Sequence, residues 1–569
     1  MLSRRDVLRA GATLTGTSAA SRLVRSAPVP ADPFAHGVAS GDPTSSEVVL
    51  WTRLDGIEGD ATVRWTVGRD DALAEVVQQG EAPAPADADH TVHVAVAQLE
   101  PATTYFYAFD HGGTRSPVGR TRTARDAGDP AEVRLGVVSC SSFAAGPFSA
   151  YRRLAAEDVD LVVHLGDYLY ESGDGLRQHD PPGVAVTLDD YRRRHAQQRS
   201  DPDLQRLHAA LPVSAVWDDH DVAGNAWRGG ADDHDPDDHG PWELRRAAAI
   251  RAWLEWLPVR RPDPSTPERI WRNLPLGGAA DLLLLDTRHD GRDEQVSADD
   301  PDAAGALASP ERRLVSEAQE AWLTGTLAGS TAAWRVLGNQ VVLTPLAFEV
   351  PDPLAGSSSS LGLTIEGKVV NPDAWDGYPT ARARVLEAIA AAGPTVVLTG
   401  DVHSSWAFEV PGQEDEPVAV EWVAPSVTSE PFSEIVRIPT PALAPAAVDV
   451  IAGQLPQIRW AELTQHGYLI ASFDAERAQC DWWHVDLADG QSTLAASWAV
   501  RPDDGRLFEA EPLPARAVAP PPTSPPPAPP GADAGGDDGP PGAALAGGAA
   551  ALCGAAVAGV LALRRRRSG

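Results

Sequence analysis

VVHLGDYLYE (residues 162–171) and VVLTGDVHSSW (396–406) share one design: an apolar run of strand type ends in Gly-Asp and leads at once into further metal-binding side chains. Buried parallel strands read as continuous Val/Leu runs, and open α/β sheets place their ligands just past the carboxyl ends of such strands. A carboxylate at that point, Asp167 or Asp401, sits at the mouth of the sheet, where metals and phosphates bind. With Tyr170 and His403 beside the aspartates, the repeated pattern predicts a metal-dependent hydrolase on an α/β scaffold.

Three further strand ends carry groups able to bind metal. VRLGVVSCSS (133–142) offers Cys140, and SAVWDDHDVAGNAW (214–227) offers Asp218, Asp219, His220, Asp221 and Asn225. The weakest, AAWRVLGNQVVL (332–343), offers Asn339. Strands are expected to end near Ser139, Gly166, Trp217, Asp286, Gly338 and Gly400, with amphipathic helices over 241–257 and 309–327 between them. After residue 400 the runs VAVEWVAPS, GYLIASF and QCDWWHVDL predict antiparallel strands, so two packed sheets flanked by helices are expected over 131–512. The acidic loop 231–240 lacks ordered ligand spacing and reads as solvated, and His289, His466 and His484 read as structural.

Upstream, residues 33–125 alternate polar and apolar side chains in short runs with turns at sandwich spacing. Leu99–Tyr105 is similar to the tyrosine corner of fibronectin type III-like domains, so an all-β fibronectin/Ig-like sandwich is expected there. The ends of the chain carry other signals. Residues 1–31 begin Ser3-Arg4-Arg5-Asp6-Val7-Leu8-Arg9 and read as a twin-arginine leader. Residues 513–541 are rich in Pro and Gly and read as a stalk, while 542–569 hold an uncharged stretch, Gly542–Leu563, closed by Arg564–Arg567. An exported chain is therefore expected, extracellular or at the cell surface, with the membrane as a partner through a C-terminal helix.

The 569 residues carry a formal charge of −33, which excludes a nucleic-acid backbone as the main partner, since phosphate backbones are bound by clustered Lys and Arg. An anionic substrate must instead be held by cations and a few arginines. Three cysteines, Cys140, Cys480 and Cys553, allow at most one bridge and no disulfide framework.

The five loops, in order, resemble those of the metallophosphoesterases, which read Asp-x-His, Gly-Asp, Gly-Asn-His-Glu/Asp, a lone His and Gly-His-x-His. The variants here are Cys140 near the first, Trp217-Asp218-Asp219-His220-Asp221 for the third and Gly400-Asp401-Val402-His403 for the last. They are similar to the alkaline phosphatase D (PhoD-like) family. The likeness continues in FAHGVASGDPTSSEVVLWTRL (34–54), LDTRHDGRDEQ (285–295), WDGYPTARARVL (375–386) and HGY (466–468), and covers roughly residues 33–490.

The resemblance implies an α/β/β/α two-sheet metallophosphoesterase sandwich acting as a monomer on phosphate-ester small molecules, monoesters or diesters. It implies ferric iron with calcium, other divalent metals being alternatives, and no organic cofactor. A thiolate and a phenolate, Cys140 and Tyr170, suit a hard oxidised iron, and aspartates with an Asn carbonyl suit calcium. By that likeness Asp167 bridges the metals and His403 completes the iron shell. Asp401, Asp219 and Asn225 serve the second cation. Tyr168 rivals Tyr170, and the Asn ligand is open to a reading one position earlier, at Gly224. His220 is the candidate to protonate the leaving group, with Arg288 (or Arg292) on the phosphoryl oxygens. The competing expectations are a phospholipase-D-type phosphodiesterase on lipid headgroups and an inactive surface-binding protein.

Overall fold

The computed structural model describes residues 32–516 apart from 174, 264, 267, 298–299, 350–362, 366–367, 413–415, 436–437 and 439. Its architecture is α/β, with two large mixed sheets packed face to face, helices on their outer faces and an all-β segment at the N-terminal end.

Each large sheet has a parallel centre. In the first, Val133–Val138, Leu161–His164 and Val213–Ala215 run parallel. In the second, Ala280–Leu284, Trp334–Asn339, Thr395–Thr399 and Pro417–Val423 do so. These strands stop within a residue or two of the expected ends, because polar and turn residues follow each apolar run. Period-two alternation sorts the second sheet's side chains: Leu282 and Leu284 enter the core between the sheets, while Leu283 and Leu285 pack under Leu323, Leu327, Val385 and Ile389 of the covering helices. The covering helix begins at Glu317 rather than at 309, because the Ser316 hydroxyl caps it by accepting from Gln319 N.

The two sheets approach most closely where glycine leaves room. A Cβ at Gly400 would lie 2.8 Å from Ser139 Cβ, and Ser139 forms an isolated bridge with Ser426 of the opposite sheet. The carboxyl ends of both parallel centres therefore open at the same edge of the sandwich.

The N-terminal strands are not closed off from the rest. Val38–Gly41, Val48–Arg53 and Thr91–Val96 extend the first large sheet, Gly41 pairing in parallel with Val213. A side chain at Gly41 would collide with the carbonyl oxygens of Val213 and Pro258. The buried pair Asp42–Arg272, at 2.7 Å, ties the junction. The remaining strands, centred on Ala61–Gly68 and Thr104–His111, form the opposing sheet. Tyr105 Oη accepts from Glu100 N at 2.9 Å, the corner contact expected from the sequence.

One expectation is corrected. Among the described residues no helix is long and apolar enough to cross a membrane. The stretch 542–563, to which the anchor was assigned, and the twin-arginine leader over 1–31 both lie outside the described residues. The membrane as a partner and the exported, surface-anchored location are therefore not retained. Cys140 and Cys480 are buried free thiols, and Cys553 falls outside the described residues.

Candidate metal centre

Four loops from the two sheets converge at the shared edge. Cys140, Asp167 and His403 bring a sulfur, a carboxylate oxygen and a ring nitrogen within 4.8 Å of one another. Asp167 also groups with Asp219 and His220, and Asp219 groups with Asp218 and Asp401. Asp167 and Asp219 each belong to two groups, so the arrangement is a chain of adjoining cages.

Tyr170 joins the first cage: its hydroxyl donates to Asp167 Oδ2 at 2.9 Å and lies 3.2 Å from His403 Nε2. Its rival Tyr168 points elsewhere, its hydroxyl 2.9 Å from His208 Nε2. His403 Nδ1 is 2.8 Å from Glu430 O, and a carbonyl only accepts, so Nδ1 carries the proton and Nε2 turns its lone pair to the cage.

The backbone is bent to achieve this. Cys140 (φ 59°), Asp167 (53°), Asn225 (55°), Asp401 (65°) and His403 (48°) all occupy the left-handed region. That conformation costs a residue with a side chain about 1–2 kcal/mol, and its concentration at one edge marks a functional site. Gly166 makes one of these bends cheap, because a Cβ there would lie 2.6 Å from Asp218 N.

The charges fit cations. Burial, reinforced by Asp219, pushes the Asp167 carboxyl well above its ordinary range. Burial, then Asp218, does the same to Asp401. The Cys140 thiol and the Tyr170 phenol are pushed up too, by burial and then by Asp167. Burial raises Asp218 to about 6, and its Oδ2 is buried without a hydrogen-bond partner among the described residues. Crowded carboxylates with an orphaned oxygen, a thiol, a phenol and an aimed imidazole are a donor set that bound metal ions would relieve.

Arg288 supplies the counter-charge that the protein itself provides. Its fully buried guanidinium donates to Asp218, chelates Asp373 at 2.8 Å through both carboxylate oxygens, and reaches Asp401 at 2.9 Å and Asp219 at 3.5 Å. Burial opposes ionisation of Asp219, yet Arg288 and His220 hold it below the usual carboxylate range. Arg292, the alternative, is likewise buried and bonds Asp373 and Thr287 O. Both guanidiniums are committed to protein acceptors, an arrangement different from the phosphate clamp expected of Arg288.

His220 stacks on Tyr170 with ring centroids 4.4 Å apart, and its Nδ1 lies 2.9 Å from Glu171 Oε2. Burial alone would depress the imidazole, but Glu171 and then Asp219 raise it well above its ordinary value. Asn225 borders the second cage without turning its amide inward: its N donates to Asp219 Oδ2 at 2.6 Å, and Nδ2 donates to Asp232 at 2.8 Å. Asp221 accepts from Asp167 N and Asp218 N, both at 2.9 Å, and so binds the two loops together. Asn339 is spent on Val341 O, Thr399 and Trp375. His289, His466 and His484 belong to none of the three groups.

Sequence reasoning missed two carboxylates, Glu171 behind His220 and Asp373 behind Arg288. Glu171 closes the first Gly-Asp stretch and had a signal in its position; Asp373 lies in a loop without any.

Comparison with known proteins gives four likenesses. A family model described as "PhoD-like phosphatase" matches residues 135–482, and one for the PhoD-like phosphatase N-terminal domain matches 17–125. Alkaline phosphatase D of Bacillus subtilis (strain 168) is 37% identical over 426 residues, 70% of each protein. A solved structure described as PhoD superposes with a TM-score of 0.74 at 31% identity, over 86% of this chain and 94% of that one.

Proposed function

The chain belongs to the PhoD-like phosphatase family and is a phosphoric ester hydrolase; on that premise we propose that it releases phosphate from small monoesters and diesters at a centre holding ferric iron and calcium. The observation that carries the reading is the convergence of Cys140, Asp167, Tyr170 and His403 beside Asp219, Asp218 and Asp401 at one edge of two sheets. In this proposal Cys140, Tyr170, His403 and Asp167 would hold the iron, and Asp219 and Asp401, beside Asp167, would hold the calcium, with Asn225 at the border of that cage. When bound, such cations polarise the phosphoryl group and lower the pKa of water.

The chain's own residues supply the rest. Arg288 draws Asp218, Asp219 and Asp401 together and offsets part of their mutual repulsion, so the cage is assembled before substrate arrives. His220, kept protonated by Glu171, gives its proton to the departing alkoxide. Asp221 fixes the spacing of the Asp167 and Asp218 loops.

The test is turnover of p-nitrophenyl phosphate and bis(p-nitrophenyl) phosphate by Asp167→Asn and His403→Ala, with metal content measured on the same samples. Loss of both rates together with loss of metal supports the reading. Wild-type rates in either variant would end it.

A further inference from the structure

With Arg288 and Arg292 committed to protein acceptors, any anionic group of the substrate away from the metal centre must find other guanidiniums. A cavity of about 430 Å³ is walled by Arg228, Asp293, Ser309, Glu311, Arg312 and Arg313, none of them a member of the three metal-binding groups. It has the volume of a small-molecule site. In a chain of net charge −33, arginines outnumber the carboxylates of its lining, Asp293 and Glu311.

The arginines differ in what they have left to give. Arg313 is held by Glu317 at 2.6 Å and Glu320 at 3.4 Å, and forms wall. Arg228 is 59% exposed and spends one nitrogen on Asp293. Arg312 is anchored by backbone carbonyls alone, Nε to Gly377 O at 2.9 Å and Nη2 to Glu294 O at 2.5 Å, so no carboxylate neutralises it among the described residues. A guanidinium oriented by carbonyls, with its remaining N–H groups open, is matched to an incoming oxyanion.

The cavity is coupled to the metal centre at two points. Arg312 stacks 4.5 Å from the Tyr378 ring, and Arg292, which bonds Asp373 beside Arg288, lies 5.3 Å from the same ring. Along the chain, Arg228 stands three residues after Asn225, whose N bonds Asp219, and three residues span at most about 11 Å. The Arg228 backbone therefore lies within about 11 Å of Asn225, a separation on the scale of an extended small molecule.

We propose that this cavity is a second anion subsite, binding a phosphate or carboxylate on the far arm of the ester whose phosphorus is attacked at the metal centre. The proposal rests on the phosphatase reading and adds a substrate class to it: esters with a second anionic group.

The experiment compares alkanediol bisphosphates of increasing spacer length with the matching alkyl monophosphates, using the full metal-loaded chain. The readout is the ratio of kcat/KM for bisphosphate over monophosphate, measured on wild type, Arg228→Ala and Arg312→Gln. Because the ratio is taken within each protein, a general loss of folding or metal cancels. Wild type is expected to favour one spacer length by roughly tenfold, the yield of a charge-assisted contact, with the preference fading as salt is added. Both variants bring the ratio close to one. A wild-type ratio near one, or a preference that survives in both variants, overturns the subsite. If neither ester is hydrolysed, it is the phosphatase reading that fails. Calorimetric titration of the same bisphosphates into wild type and variants then decides the subsite: tighter binding that depends on Arg228 and Arg312 supports it, and equal binding overturns it.

Discussion

Replacing Glu171 by Gln tests the proton donor without altering any residue of the metal cages. Glu171 is fully buried, accepts from Gly224 N at 3.0 Å, and holds His220 Nδ1 at 2.9 Å. The amide keeps the shape and one acceptor oxygen but removes the charge that, against burial, holds the imidazole above its ordinary value. A hydrogen bond to a charged group contributes about 1.5–3 kcal/mol, and each 1.36 kcal/mol is about a factor of ten in rate. The imidazolium should thus give up its proton more readily in the variant. The sign follows: in wild type His220 stays protonated to higher pH than a free ring, and in Glu171→Gln its acidic form disappears at lower pH. The assay is kcat on two esters. An alkyl phosphate leaves as an alkoxide that needs the proton, whereas p-nitrophenolate leaves without help. At neutral pH kcat on the alkyl ester is expected to fall about 10- to 100-fold, as the acid form is depleted, while the aryl ester changes little. An equal loss on both esters, or an unchanged alkyl rate, would refute His220 as the donor.

Three more predictions rest on separate contacts. Gly166→Ala puts a methyl 2.6 Å from Asp218 N at a φ of 108°, and should lower both metal content and activity while far-UV circular dichroism stays the same; full metal occupancy would show that the bend is not needed. Tyr170→Phe should shift or abolish the visible absorption of iron-loaded protein, since its hydroxyl lies between Asp167 and His403; an unchanged spectrum removes Tyr170 from the metal. Burial lowers His164 and His195 to about 3 each, from 6.5 when unfolded. The unfolded chain therefore binds more protons between those values, so the neutral rings stabilise fully above pH 6.5 and progressively less as pH falls toward 3. Denaturant titrations should show about 4 kcal/mol lost from these two rings by pH 5, and double replacement of them should flatten that slope; a slope that survives would assign acid sensitivity to other groups.

The reach of the sequence follows from which interactions are local. Asp167 and Asp401 were legible because an apolar run followed by Gly-Asp is a property of one strand and its turn, and the fold puts such ends at one edge. Tyr105 was legible for the same reason, since its partner is Glu100. Tyr168 and Tyr170 have equal standing in the sequence, and the hydrogen bond from Tyr168 to His208, forty positions away, is what separates them. The sequence reading put Arg288 on phosphoryl oxygens, and its four carboxylate partners were not legible because they arrive from three other segments. The continuation of the N-terminal strands into the first large sheet hangs on Gly41 meeting Val213, a contact with no local periodicity. The helix start at Glu317 depended on Ser316 acting as a cap within an otherwise periodic stretch.

The central claim is that distant loops build one cage for metal ions, and anomalous X-ray scattering from crystals of the metal-loaded protein tests it most directly. The account predicts an iron signal within bonding reach of Cys140 Sγ, Asp167, Tyr170 Oη and His403 Nε2, with a second cation against Asp219 and Asp401. Ordered metal bound away from these side chains, or none in crystals grown with both ions in excess, would contradict it.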